Sequence, residues 1–184
     1  MDSSLSFRKA TVADAQAIRS LVISAFRGDS SRAGWTTEAD LVADERISEE
    51  GLLDKIQQPN GKVVMAHDRA GALVGCAEIV RDKDVVRIGM GAVDPLCQAQ
   101  GIGKASISYL ESIARDEYLA SRIEIYVIWT RKELIDFYMR LGYSKTGRVV
   151  PFPYGELVNG KALRDDLYFD VLGKTLDAKS VARL

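Results

Sequence analysis

Hydrophobic residues along the chain recur at two spacings, every second position in some segments and every third or fourth position in others. Ile123, Ile125 and Val127 fall on alternate positions, so a strand over residues 122–129 would turn them to one face. Helical spacing of apolar residues is longest over residues 101–119, which predicts a helix there. The pattern predicts further strands at residues 6–11, 62–68, 72–81, 85–94, 144–150 and 166–172. Short strands that alternate with helices indicate an α/β or α+β fold.

Three threonines are each followed, three positions later, by an acidic residue, which is the pattern of a capping box at a helix start. The pairs are Thr11 with Asp14, Thr37 with Asp40, and Thr130 with Glu133. We therefore expect a helix after each pair. The first helix would be interrupted at residues 28–34, the second would be short and acidic and run through Ile47, and the third would end at Gly142.

The length and charge of the chain narrow the function classes. A chain of 184 residues predicts one domain over residues 1–184. Its 25 Lys and Arg residues are balanced by 26 Asp and Glu residues, which argues against a sequence-independent nucleic-acid binder. No apolar run approaches the ~20 residues of a membrane span, and the polar N-terminus is unlike a secretory signal. We expect neither a nucleic-acid nor a membrane partner.

Cysteine and histidine are scarce. Cys76 and Cys97 are too few for a disulfide framework and lack the spacing of metal ligands, so a reducing, cytoplasmic compartment fits best. No histidine partner accompanies either cysteine, which favours packing roles over an acyl-cysteine nucleophile. His67 is the sole histidine, so we expect no metal site.

The glycines between a predicted strand and the longest helix are the most informative segment. A helix that begins near Gly101 offers first-turn N–H groups without helical partners, which favour an anion such as phosphate. Gly101 and Gly103 allow a ligand close to the backbone, and Lys104 adds a cation. An ordinary loop before a helix is the alternative. A dinucleotide-binding turn is disfavoured because Ser106 stands at its third glycine position, and no Walker A sequence is present.

Two motifs in this region resemble the GNAT N-acetyltransferase superfamily. Gln-Ala-Gln-Gly-Ile-Gly at 98–103 matches the family's acyl-CoA signature, Q/R-x-x-G-x-G/A, and Val-Asp-Pro precedes it at 93–95. Phe-Tyr-Met-Arg-Leu-Gly-Tyr at 137–143 is similar to the family's F-Y-x-x-x-G-F/Y element. The resemblance implies a GNAT fold, which is a mixed, largely antiparallel central sheet of about seven strands with helices on both faces. It also implies acetyl-CoA as donor and an amine as acceptor.

The resemblance assigns acetyl-CoA contacts to the strand end, the turn and the helix start. These residues are Ala92, Val93, Gln98, Ala99, Gln100, Gly101, Ile102, Gly103 and Lys104. Many members carry Asn seven residues before the motif tyrosine, where this chain has Arg131. Arg131 is therefore a candidate contact to the CoA phosphates, and a solvated helix start is the alternative.

Two residues are candidates for proton transfer. Tyr138 is a phenol with an ordinary pKa near ~10, so it would donate a proton or hydrogen bond to the departing thiolate. Glu78 lies mid-strand among small and apolar residues and is the candidate general base. A core tyrosine and an outward-facing strand glutamate are the alternatives. Glu38, Tyr126 and a chain of waters are rivals for the base.

The family's acceptors usually enter beside the first two helices and the loop between the last two strands. Candidate contacts in these regions are Trp35, Glu38, Phe152 and Tyr154. Their aromatic and acidic character suits a small cationic amine, although a solvated helix and a packed turn explain them equally well. Residues 34–41 and 146–153 are similar to segments of a group of small GNAT proteins whose acceptors are unsettled.

The sequence thus predicts an N-acetyltransferase that acts by direct attack on a small primary amine. A peptide or protein amine is the alternative acceptor, and a non-catalytic acyl-CoA sensor is the alternative function. A homodimer is one expected assembly. Ala182-Arg183-Leu184 resembles the peroxisomal address, so a peroxisomal location is the alternative in a eukaryote.

Overall fold

The computed structural model of the protein describes residues 5–176. In this part of the chain the helices are α1 (Ala15–Phe26), α2 (Gly28–Arg32), α3 (Glu49–Gln57), α4 (Ile102–Asp116) and α5 (Lys132–Arg140). The strands are β1 (Ser6–Lys9), β2 (Val42–Ala43), β3 (Gly61–His67), β4 (Leu73–Asp82), β5 (Val85–Val93), β6 (Arg122–Ile128), β7 (Ser144–Pro151), β8 (Lys161–Ala162) and β9 (Tyr168–Thr175). The C-terminal tripeptide at 182–184 lies outside the described residues, so the location it bears on stays a prediction.

Seven of these strands form one sheet in the order β1-β3-β4-β5-β6-β9-β7. Neighbouring strands are antiparallel except β5 and β6, which are parallel. The two short strands β2 and β8 pair separately. The predicted mixed, largely antiparallel sheet of about seven strands is confirmed.

Helices cover both faces of the sheet because its strands are apolar on both. Val63 packs in one buried cluster with residues of α1 and α3, and its neighbour Val64 packs in another with residues of α4 and α5. Successive strand residues point to opposite faces, so the two clusters are the two sides of one sheet. The helix that carries the Gly101 turn and the helix that carries Tyr138 therefore share one side.

The parallel strands β5 and β6 separate halfway along. Their pairing runs from Val85 opposite Arg122 to Ile88 opposite Ile125 and extends no further along β5. Just beyond, Met90 adopts a positive φ of 50° where the β4–β5 register shifts, which is the signature of a bulge. Residues 89–93 consequently have no β6 partner, and their edge borders an opening between the strands.

The segment after α1 differs from the sequence prediction. The predicted interruption of the first helix is observed, since α1 ends at Phe26 and Arg27 is extended, but residues 28–32 then form the short helix α2. The expected acidic helix after Thr37 is replaced by a turn and β2. A helix forms later, at α3, because the Ser48 hydroxyl accepts from Gly51 N at 3.0 Å and Leu52 and Ile56 are buried one turn apart.

The other two predicted capping boxes, at Thr11 and Thr130, have different outcomes. The Thr11 box forms, with Thr11 N donating to Asp14 Oδ2 at 2.8 Å at the 3₁₀ turn before α1. The Thr130 box does not form, because Arg131 is the residue before α5 and the Glu133 carboxylate instead accepts from Thr36 Oγ1 at 2.8 Å. The predicted end of α5 is observed: Gly142 follows it at a φ of 90°, a conformation that glycine adopts without strain.

Candidate active site

A cavity of about 340 Å³ occupies the opening between β5 and β6. Its wall includes residues 88–93 of β5, residues 125–128 of β6, the start of α4 and the inner face of α5. This volume lies in the usual range for sites that bind small molecules. The separation of two parallel strands thus creates the candidate site.

The start of α4 forms one end of this cavity. Gly101 precedes the helix at a φ of 84°, and Ala105 N is the first helical donor, bonding to Gly101 O at 3.0 Å. The N–H groups of Ile102, Gly103 and Lys104 therefore have no intrahelical acceptor, and these residues line the cavity. Together with the helix dipole and the Lys104 ammonium, they make a site suited to phosphate.

Of the three polar or small residues before Gly101, two line the cavity. Ala99 lines it at a positive φ of 63°, whereas Gln100 is exposed and lies outside the cavity wall. Gln98 lines it too, but its amide donates to Val93 O at 3.2 Å and accepts from Trp35 N at 2.9 Å. Gln98 therefore holds two chain segments together, and its amide is committed to protein groups.

The phenol of Tyr138 faces the open edge of β5. Tyr138 is buried, lines the cavity, and its hydroxyl lies 3.9 Å from the position that a Cβ on Gly91 would take. Burial raises the pKa of Tyr138 above its ordinary value, and the positive charge of Arg131 offsets this only in part. The phenol is consequently protonated at neutral pH and able to donate.

Ala92 and Val93 line the same wall as Gly91. This part of β5 is paired with β4 but has no β6 partner, so those of its N–H groups that point away from β4 are candidate donors to a carbonyl oxygen in the cavity. Cys76 also lines the cavity, but burial raises the pKa of its thiol to about 12. The thiol stays protonated at neutral pH, which argues against an acyl-cysteine route.

Glu78, the sequence candidate for general base, does not line the cavity. It is buried on the α3 side of β4, where its carboxylate accepts from Lys55 Nζ at 2.8 Å and from Gln58 Nε2 at 2.9 Å. Neither Lys55 nor Gln58 is adjacent to Glu78 in the chain, so the sequence did not reveal these partners and suggested a carboxylate in a cleft. The structure instead gives this carboxylate two protein partners beneath α3.

Glu38 does line the cavity, within a cluster of buried charges. Its Oε1 accepts from Arg131 Nη1 at 2.6 Å and its Oε2 from Arg27 Nη1 at 2.8 Å, and Arg46 Nε lies 3.9 Å from Oε2. Burial by itself would raise the pKa of Glu38, but the charges of Arg131, Arg46 and Arg27 outweigh it and hold that pKa below its ordinary value. Glu38 is therefore ionised at neutral pH and a weak base.

Arg131 is a member of this cluster and not a group at the α4 turn. Its guanidinium donates to Glu38 and, through Nη2, to Thr36 Oγ1 at 2.9 Å. The sequence expectation that Arg131 binds CoA phosphates is therefore not supported by its contacts. Arg140, which follows Tyr138 on α5, lines the cavity and was missed, although it belongs to the same F-Y-x-x-x-G-Y element.

The four candidate acceptor contacts divide into two pairs. Trp35 and Glu38 line the cavity, with the Trp35 ring 5.8 Å from that of Phe137. Phe152 and Tyr154 do not line it. Phe152 packs in a separate apolar cluster, and the Tyr154 hydroxyl accepts from Leu167 N at 2.7 Å. Arg46, which sequence reasoning also missed, lines the cavity beside Glu38, and nothing in the local sequence marks it.

Residues 5–176 include no group of three His, Cys, Asp or Glu side chains placed to hold a metal ion. In the same part of the chain, no helix combines the length and apolar character needed to cross a membrane.

Comparisons with known proteins identify the family and the fold. The sequence model of the acetyltransferase (GNAT) family matches residues 17–143, more than half of the chain. The chain therefore belongs to the GNAT acetyltransferase family, whose acetyl donor is acetyl-CoA. No curated protein sequence matches it significantly.

Solved structures share the fold at low sequence identity. A protein proposed to be a phosphinothricin N-acetyltransferase superposes with a TM-score of 0.69 at 16% identity, over 95% of this chain and 99% of that one. Spermidine N-acetyltransferase from Vibrio cholerae, in complex with CoA and spermine, gives 0.66 at 14% identity, over 93% and 95%. A mutant of the Vibrio cholerae spermidine N-acetyltransferase SpeG gives 0.65 at 13% identity, over 93% of both chains. At such identities the likeness establishes the fold and not the substrate.

Proposed function

We propose that this protein transfers the acetyl group of acetyl-CoA to the primary amine of a small molecule by direct attack. One observation carries the proposal: the start of α4 and the phenol of Tyr138 line a single cavity. If the start of α4 binds the pyrophosphate of acetyl-CoA and the Tyr138 phenol contacts its sulfur, the thioester carbonyl lies between them. Spermine accompanies CoA in one structure of the same fold, which supports an amine as acceptor in general.

The residues present fit acetyl-CoA. The amides of Ile102, Gly103 and Lys104 would hold the pyrophosphate, because they lack helical partners at the positive end of α4. The unpaired edge of β5 at Ala92 and Val93 would contact the pantetheine arm and polarise the thioester carbonyl. Gln98 would act indirectly, by fixing the turn against residue 35.

In the reaction the amine nitrogen forms a bond to the carbonyl carbon as the carbon–sulfur bond breaks. Tyr138 supplies the proton or hydrogen bond that stabilises the departing thiolate, and its raised pKa keeps it protonated for that step. The attacking nitrogen loses a proton as the amide forms, and that proton replaces, by way of water, the one given to the sulfur. The amine must first lose a proton, which costs roughly 4–5 kcal/mol at pH 7 for an alkylamine with a pKa near ~10.4. Neither Glu78, which lies outside the cavity, nor Glu38, whose pKa is lowered, suits this role. Tyr126, the other rival that the sequence offers, lines the cavity, so this residue and water in the cavity are our candidate proton acceptors.

A thiol-release assay with acetyl-CoA and a panel of amines tests the proposal. We expect amine-dependent CoA release by the wild type and a loss of about a hundredfold in kcat for Tyr138→Phe, since a positioned acid contributes roughly 10²–10⁴-fold. Tyr143→Phe is the matched control, because Tyr143 is a buried tyrosine that donates to Glu111 at 3.0 Å and lies outside the cavity wall. CoA binding without turnover on any amine would favour a sensor. Turnover on peptides alone would favour a peptide or protein acceptor.

A further inference from the structure

The wall of the cavity carries an excess of positive charge. Glu38 is the one acidic residue among the described residues that line it, whereas four lining residues are basic: Arg46, Lys104, Arg131 and Arg140. Lys104 belongs to the α4 turn, where phosphates need a cation. Arg46 and Arg131 are different, because both flank Glu38 on the side of the cavity formed by Phe26, Thr36 and Glu38, which we call the acceptor end.

The negative charge of Glu38 is already used within the protein. Its two carboxylate oxygens accept from Arg131 and Arg27, and Arg27 also donates through Nε to Asp44 Oδ1 at 2.6 Å. Three guanidinium groups (Arg27, Arg46 and Arg131) thus face two carboxylates (Glu38 and Asp44), which leaves one positive charge in excess. A cationic ligand at the acceptor end would meet this excess charge, with Glu38 unable to neutralise it.

The acidic residues nearest in the chain do not remove the excess. Glu45 pairs with Arg19 at 2.7 Å and Asp40 pairs with Arg32 at 2.8 Å, and neither lines the cavity. Glu133 reaches this cluster only through the hydroxyl of Thr36 and is itself exposed to solvent.

Two donors at the acceptor end lack a hydrogen-bond partner. Nε of Arg46 and Nε of Arg131 are buried and make no hydrogen bond. Both guanidinium groups lie over the Phe26 ring, at 4.9 and 5.8 Å from its centroid, and the Glu38 carboxylate beside them accepts no hydrogen bond from either Nε. Arg131 is only 7% exposed, and a buried unsatisfied donor costs free energy that an added acceptor would recover.

Resting on the acetyl transfer proposed above, we propose that the acceptor is a small zwitterion whose carboxylate binds Arg46 and Arg131 at the acceptor end. A planar carboxylate matches the fork of donors on a guanidinium, whereas a polyamine offers only further donors. The acceptor class is therefore amino-acid-like and not the cationic amine that the aromatic and acidic sequence suggested. Acetylation removes the charge of the amine and leaves the carboxylate, so the product is an N-acetylated acid.

The experiment compares matched acceptors in the thiol-release assay with full-length protein. The panel contains the common amino acids, the amide of each, the amine that each gives on decarboxylation, and spermidine. We expect kcat/KM for the best amino acid to exceed that for its amide by about tenfold to hundredfold. This ratio corresponds to the free energy that a hydrogen bond to a charged group contributes. Spermidine should be among the poorest acceptors.

Arg46→Gln isolates the carboxylate contact. Arg46 is the safer position because its side chain is 31% exposed, whereas Arg131 is embedded in the buried cluster. We expect Arg46→Gln to lower kcat/KM for the amino acid about tenfold or more and to abolish the preference over the amide, and we expect Arg46→Lys to retain part of it. Arg32→Gln is the control, since Arg32 lies on the neighbouring α2, pairs with Asp40 and lies outside the cavity wall. It should keep the preference.

The possible results separate the two proposals. Absence of CoA release with every amine would overturn the proposed function and this inference together. Two results would overturn this inference and leave acetyl transfer standing. One is a kcat/KM for amides or spermidine that equals that for the amino acids. The other is an Arg46→Gln variant that keeps the full preference for the carboxylate. Carboxylate preference that depends on Arg46 supports both.

Discussion

Arg131 Nη1 donates to Glu38 Oε1 at 2.6 Å, which joins the start of α5 to a segment 93 residues earlier in the chain. Both residues are buried, and Arg27 holds the second carboxylate oxygen. This bond ties the helix that carries Tyr138 to the loop that carries Trp35, so the two sides of the cavity are fixed to each other.

Glu38→Gln should destabilise the protein by about 3 kcal/mol, because removal of one member of a buried ion pair leaves uncompensated charge. Urea denaturation of the variant and the wild type measures the difference. The exposed pair Arg32–Asp40 supplies the control: Asp40→Asn should change the free energy of unfolding by less than about 1 kcal/mol. Equal effects of the two substitutions would contradict the importance of the buried cluster.

The contribution of Glu38 should also depend on pH. Its pKa in the folded protein is lowered, so ionised Glu38 stabilises the fold at pH values above its unfolded pKa of about 4.3, and this contribution is lost as pH falls through the lower folded value. Thermal melts should show a constant gap between the wild type and Glu38→Gln at pH 5–7, narrowing below pH 4 or so. A gap that widens on acidification would contradict the assigned direction.

Gly103→Asp should weaken CoA binding at least about tenfold without destabilising the protein. A Cβ on Gly103 would meet Phe137 at 3.5 Å, an ordinary contact, and an acid in the first turn of α4 is favourable to the helix by about 0.3–1 kcal/mol. The same charge would repel the pyrophosphate. Calorimetric titration with CoA measures the affinity.

Gly103→Ala separates charge from size in that experiment. It adds the same Cβ without the carboxylate, and we expect it to bind CoA within about threefold of the wild type. If Gly103→Asp binds CoA as tightly as Gly103→Ala does, the phosphates do not lie at the start of α4.

Glu78→Gln should lower stability and leave catalysis nearly intact. Its carboxylate accepts from Lys55 and Gln58 beneath α3 and does not line the cavity, so we expect a loss of about 2 kcal/mol in the free energy of unfolding and a kcat within about threefold of the wild type. The acidic limb of the pH–rate profile should be unchanged in the variant. A hundredfold loss of kcat, with that limb abolished, would restore Glu78 as the base.

Activity should persist to alkaline pH. The pKa of Tyr138 is raised mainly by burial, so the phenol remains protonated past its ordinary value near ~10, and kcat at saturating acceptor should show no fall between pH 7 and about 9.5. Steady-state rates in overlapping buffers provide the measurement. A fall centred near pH 8 in the wild type, absent from Tyr138→Phe, would show that the phenol ionises too early for this role.

The sequence predicts those parts of the molecule that depend on residues close together in the chain. The turn before α4 and the Tyr138 helix follow from local motifs, and the strands follow from short apolar segments that are bounded by polar turns. Backbone N–H groups at a helix start need no distant partner, so their availability is visible in the sequence itself.

Other features depend on partners that are remote in the chain. Glu78 meets Lys55 across 23 positions, and Glu133 meets Thr36 across 97, which prevents the capping box expected with Thr130. Arg46 and Arg131 come together around Glu38 only through the tertiary fold. The local sequence shows which residue types are present but not which of them pair in the folded protein. The net charge of such a cluster depends on that pairing.

The most direct measurement is a crystal structure of the protein with bound CoA. The proposed binding mode places the pyrophosphate on the amides of residues 102–104 and the CoA sulfur within about 4 Å of the Tyr138 hydroxyl, in reach of a hydrogen bond to a thiolate. CoA bound elsewhere, or with its sulfur directed away from Tyr138, would contradict it.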